Sequence, residues 1–223
     1  MPGNNSDTPV STDRDSPVGK PVIRGDPAIT GRDTSAAVQF DPEDSESLRV
    51  AEATVREFAQ SAGDEDSIFM LRGAAACAAL VRGEGSYKAA AERAGEEVTV
   101  PFVRTWSRVH DLPRAIRRHV AAGDIVPSAA RHIARLTGTA RLHLAWATMD
   151  HDLTVREVRD VVSDVHAGAS VESALDSRGY QLGNVTLELP PDEYCLVRQQ
   201  ASLEGKTPSD VVGAALIEWF EKS

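Results

Sequence analysis

The chain has 223 residues, room for one or two domains, and its 34 acidic and 24 basic side chains leave a formal net charge of −10. Only Lys20, Lys88, Lys206 and Lys222 are lysines, and so little lysine beside so much Asp and Glu fits a proteome adapted to high salt. Two distant cysteines, Cys77 and Cys195, in no C-x-x-C pair, speak against a disulfide framework or zinc site, and the lack of a long apolar run or a leader pattern predicts a soluble cytoplasmic protein.

Residues 1–41 are rich in Pro, Gly, Ser, Thr and Asp without an apolar period, which predicts a disordered acidic tail. Within it PVIRGDPAITG (21–31) is more apolar, and reads either as more tail or as an extended docking arm. From Asp41 the texture changes. Leu48, Ala51, Val55, Phe58 and Ala59 recur at helical spacing up to Gly63, and an Ala-rich helix follows over about 67–82. Stop signals then divide a series of short helices: 86–94, 100–110, 114–122, 127–136, 141–149 and 155–167. Residues 168–183, bounded by Gly168, Gly179 and Gly183, read as a linker with room for one helical turn. After it NVTLEL (184–189) alternates polar and apolar like a half-buried strand. Two helices follow, over about 192–203 and 209–221, the second with Thr207 as its cap and Pro208 in its first turn. The expected fold class is mainly α: a multi-helix domain at 42–167 with a helix-turn-helix at 86–110, then a one-strand, two-helix module at 184–223.

Charge is unevenly spread. Residues 1–65 carry 13 acids and 6 bases, residues 66–165 carry 12 acids and 14 bases, and residues 166–223 carry 9 acids and 4 bases. The middle section alone is basic, and eight arginines fall within 104–141 against Asp111 and Asp124, with His110, His119 and His132 interspersed. Such a cluster in an acidic protein points to a polyanionic partner.

SYKAAAERAG (86–95) followed by Thr99–His110 has the grammar of a helix-turn-helix, its first helix small enough to lie close behind the second. Phe102, Val103, Trp106 and Val109 make the inward face, leaving Arg104, Thr105 and Arg108 on the opposite face. In a major groove an arginine there can make paired hydrogen bonds to guanine. The same pattern also suits an ordinary amphipathic helix with a solvated charged face.

Residues 86–162 resemble the helical DNA-binding domain of ParB-type partition proteins. The resemblance is carried in order by SYKAAAERAG, VPFVRTWSRVHDLP, VAAGDIVPSAARHIARL and LTVREVRDVV. It implies that 99–108 is a recognition helix and that the helix from Pro127, with Arg131 nearby, meets phosphate. Ser86, Lys88, Thr99, Arg104, Thr105, Arg108, Arg131 and Arg135 are the DNA-contact candidates. Ser128-Ala129 stand where that family usually has Gly-His, and residues 1–85 hold no counterpart of its nucleotide-binding box, so nucleotide binding is not carried over.

Residues 184–223 resemble a ribbon-helix-helix module, an obligate dimer in which two strands pair across the axis. That resemblance implies that Val185, Leu187, Leu189, Leu196, Val212, Leu216 and Trp219 fill a shared interior. Asn184, Thr186 and Glu188 would face outward, and the carboxylate among them favours dimerisation alone, with base reading by Asn184 and Thr186 as the alternative.

The six histidines form no metal-ligand spacing, and the chain carries no phosphate loop, nucleophile elbow or dinucleotide fingerprint, so no enzyme, metal or cofactor is expected. The function expected is sequence-specific binding of double-stranded DNA by a nucleoid-associated homodimer, as a transcriptional regulator or partition accessory. The alternative is a protein–protein module, a helical adaptor or antitoxin-like partner without base readout.

Overall fold

The computed structural model describes residues 40–61 and 66–222. The 21–31 segment and nearly all of the expected N-terminal tail lie outside the described residues. The chain divides into two units, one ending at Leu182 and one beginning at Gly183. Among the described residues there are eleven helices and no sheet, and no helix is long and apolar enough to cross a membrane.

In the larger unit α1 (Ser45–Gln60) begins at Asp44, whose carboxylate accepts the Glu46 and Ser47 amides at 3.3 and 3.1 Å. Asp44 thereby satisfies two of the amides that a helix start leaves orphaned. Leu48, Ala51, Val55 and Phe58 form the buried stripe of α1. It lies against α2 (Ser67–Glu84), whose run from Gly73 to Leu80 is entirely buried. Small side chains allow this close approach. A Cβ on Gly73 would overlap the Phe58 ring, and one on Gly83 would come within 2.7 Å of Leu48. The Phe58 ring meets Phe69, Phe102 and Trp106 with centroids 5.7, 5.3 and 4.7 Å away, joining α1 and α2 to α4 (Val100–His110). Burying such a ring contributes about 1.5–3 kcal/mol, plus a smaller edge-to-face increment.

Between them lies α3 (Tyr87–Ala94), which buries Ala90, Ala91 and Ala94. Arg56 Nε donates to the Ala94 carbonyl at 3.2 Å, and Arg93 is paired with Glu84 and, at 3.5 Å, with Glu52. These contacts fix the turn into α4. Thr99 caps α4, accepting the Phe102 amide at 3.3 Å, with Pro101 in the first turn. The chain continues through α5 (Arg114–Ala122), which Gly123 ends at φ 87°, a conformation that favours glycine. Next come α6 (Pro127–Ile133), α7 (Ala140–Asp150) and α8 (Val155–His166).

Two expectations change within this unit. The helix from Pro127 ends at Ile133 rather than 136, because the Arg135 and Leu136 amides turn back to the His132 and Ile133 carbonyls, each at 3.0 Å. Such three-residue closures tighten the end of a helix. The stretch 168–183, read as a linker, contains α9 (Val171–Asp176), capped by Ser170, with Val171, Ala174 and Leu175 buried against the helical core. Tyr180 then donates its hydroxyl to Glu157 Oε1 at 2.7 Å.

The smaller unit pairs α10 (Pro191–Glu204) with α11 (Pro208–Glu221). Thr207 and Asp210 form a reciprocal capping box at the start of α11. The strand expected at 184–189 is not formed: these residues carry no ladder and all are exposed. A lone strand has nothing to exchange backbone hydrogen bonds with, and this unit supplies no second one. Its interior is correspondingly thin. Ala201 is the buried residue of this unit, while Leu203, Trp219 and Phe220 are 84%, 61% and 68% exposed.

Candidate functional site

The face of interest is built on α3, α4 and α6. Ser86 caps α3 by accepting the Ala89 amide at 3.1 Å, which leaves Tyr87 at the helix start. On α4, Val103, Trp106 and Val109 are buried at 0%, 4% and 1% exposure, so the opposite face, with Arg104 and Arg108, is turned to solvent. The inward–outward division therefore follows from the apolar spacing, although Phe102 is only half-buried.

An open groove of about 380 Å³ runs between α4 and α6. Thr99, Pro101, Phe102, Thr105 and Trp106 line one side, and Arg131, His132 and Arg135 the other. Four of the eight contact candidates meet in it: Thr99, Thr105, Arg131 and Arg135. The Arg131 guanidinium lies 5.7 Å from the centre of the Trp106 ring, and the Arg104 guanidinium lies 5.4 Å from that of Tyr87. Arg135 approaches His166 Nδ1 at 3.4 Å. His132 has its Nδ1 buried without a hydrogen-bond acceptor or donor. Burial, then the charges of Arg131, Arg135 and Arg159, lower its pKa.

A second hollow of about 520 Å³ lies beside the α3–α4 turn, lined by Lys88, Glu92, Glu96, Thr99 and neighbouring apolar atoms. Lys88 is 3.7 Å from Glu92, an exposed pair one helical turn apart. Lys88 and Ser86 thus stand apart from the groove, and Ser86 already serves as a cap. Thr99 borders both hollows.

Not all of the clustered arginines are surface charge. Arg117 Nε donates to the Leu112 carbonyl at 3.1 Å, and Arg141 to the Asp111 carbonyl at 3.1 Å, while Arg82 pairs with the Asp111 carboxylate at 3.2 Å. These three hold the exit turn of α4. His110, beside them, has its pKa pushed down to about 4 by burial and by the charges of Arg117 and Arg82, so it is neutral at pH 7. Glu97, at the other end of α4, accepts Gln60 Nε2 at 2.8 Å and is thereby tied to α1.

Sequence reasoning did not single out Tyr87, His132 or the outer edge of Trp106 as parts of this face. Nothing in a one-dimensional period links residue 87 to 104 or residue 106 to 131.

The family model described as a family of unknown function, DUF7119, matches residues 41–180, which takes in α1 to α9 and ends before the smaller unit. No curated protein and no solved structure matches the chain.

Proposed function

We propose that this chain, which belongs to the family of unknown function DUF7119, binds double-stranded DNA sequence-specifically as a homodimer. Its role would be that of a nucleoid-associated transcriptional regulator or partition accessory. The observation that carries this reading is the α3–α4 pair. Arg104 and Arg108 project from the outer face of α4, and Arg131 and Arg135 stand across a groove from it, in a chain of net charge −10. Base edges would be met by Arg104, Arg108 and Thr105, and the sugar–phosphate backbone by Arg131 and Arg135. The exposed apolar surface of the smaller unit supports pairing of two copies through residues 184–223, with Val185, Leu187 and Leu189 on the shared ribbon and Leu196, Val212, Leu216 and Trp219 beneath it. A two-fold symmetric DNA site follows from that arrangement.

The hollow beside the α3–α4 turn favours the second reading, a protein–protein module, because Glu92 and Glu96 would repel phosphate there. Selection from a pool of genomic fragments separates the two. The wild-type chain should enrich a symmetric sequence, and Arg104→Ala/Arg108→Ala should lose the enrichment while remaining folded. If the wild type enriches no sequence at moderate or high salt, the DNA reading is wrong.

A further inference from the structure

We infer that Tyr87 is a positioning residue, whose ring orients Arg104 for reading a base; this rests on the DNA-binding reading above. The geometry has three parts. Arg104 is exposed on α4, yet its guanidinium lies 5.4 Å from the centre of the Tyr87 ring, on α3. Arg49, Arg56, Arg82 and Arg93 behave differently, each sitting against a carboxylate. The platform under Arg104 is itself fixed. Tyr87 directly follows the Ser86 cap, and α3 is anchored by its buried Ala90, Ala91 and Ala94 and by Arg56 at its last carbonyl.

The chemistry of the contact explains its use. A carboxylate would occupy the in-plane N–H donors of a guanidinium, the same donors that recognise the O6 and N7 edge of guanine. A ring attracts the flat face of the cation and leaves those donors free. Stacking also removes rotamers that a solvated arginine would otherwise lose on binding, which lowers the cost of contact. Arg131 over the buried Trp106 repeats the arrangement on the other side of the groove. Two guanidinium groups of this face thus each lie over an aromatic ring.

The test compares Tyr87→Leu and Tyr87→Phe in the full-length chain, first without DNA. In the wild type and in Tyr87→Phe the Arg104 Nε–Hε resonance should show a ring-current shift and restricted motion by NMR, and both should be lost in Tyr87→Leu. With the selected DNA, Tyr87→Leu should lower discrimination against a site altered at one base pair about two- to fivefold, the worth of an exposed cation–π contact. Tyr87→Phe should restore discrimination, and the salt dependence of binding should be unchanged in both. An Arg104 resonance indifferent to Tyr87→Leu overturns the stack. Loss of the resonance shift with wild-type discrimination overturns the positioning role. A wild type with the shift and no sequence preference overturns the DNA reading and, with it, the readout role of Tyr87, while leaving the stack measured.

Discussion

His110 shows how burial converts an apparent basic residue into a neutral one that costs stability in acid. Its folded pKa is about 4, against an ordinary value of 6.5, because burial and the facing Arg117 and Arg82 oppose its charge. Between those values the unfolded chain binds a proton that the folded chain does not. His110 therefore lowers stability as pH falls from about 6.5 to about 4, by at most roughly 3 kcal/mol, and does nothing to the slope above 6.5. His110→Gln should flatten that part of the stability profile. Urea denaturation at pH 7.5 and pH 5 would check this: equal pH dependence in variant and wild type would mean that another group supplies it. The neighbouring arginines teach the same lesson. Arg117 and Arg141 read in sequence as members of a cationic surface, yet each satisfies a carbonyl in the turn after α4. Composition counts charges without showing which are committed to holding the backbone.

At the scale of elements, the start of α8 joins a cap, an acid and a distant phenol. Thr154 accepts the Glu157 amide at 3.3 Å, and Glu157 in turn accepts the Thr154 amide at 2.8 Å and the Tyr180 hydroxyl at 2.7 Å. Hydrogen bonds from Thr154 and Tyr180 bring the Glu157 pKa down to about 2 from an ordinary 4.5. The resulting stabilisation is complete above pH 4.5 and is lost as pH falls towards about 2. Glu157→Gln should consequently destabilise the chain near neutrality, with the gap from wild type closing in acid. Thr154→Ala should cost about 1 kcal/mol through loss of the cap. Thermal unfolding of both variants at pH 6 and pH 3 reads these effects, and a gap that does not shrink in acid would refute the linkage. The helix beginning at LTVRE was legible in the sequence, as were the caps Thr99 and Thr207 and the stops at Gly95 and Gly123. Each of those signals is local, so it survives without tertiary information. What was not legible is long-range. Val171, Ala174 and Leu175 are too few to show a period, and only the surface of α7 and α8 makes α9 part of the core rather than a linker. The 184–189 alternation suggested a half-buried strand, but a strand is a property of a pair, and within this unit the pair is absent.

At the scale of the whole molecule, the smaller unit cannot account for its own sequence. Leu187, Leu196, Ile217, Trp219 and Phe220 are each more than half exposed, and among the described residues of this unit only Ala201 is buried. A forty-residue piece with so little interior is not expected to hold two ordered helices in water unaided. A second copy would supply what is missing, since two 184–189 segments can exchange the hydrogen bonds that neither can make alone. On the DNA-binding reading proposed above, dimerisation should also decide the affinity. Two linked reading heads convert the second contact into an intramolecular one, raising affinity by a factor on the order of a hundred or more where the spacing permits. This coupling matters most in concentrated salt, where phosphate contacts release few counterions and give little free energy. Equilibrium sedimentation of residues 40–223 should therefore give a dimer, and removal of 184–223 a folded monomer whose binding to a symmetric site is weaker by at least tenfold. A monomer in both cases would sink the pairing. A dimer in both would move the interface onto the helical unit, and the spacing between the two Arg104 side chains would then have to be sought there.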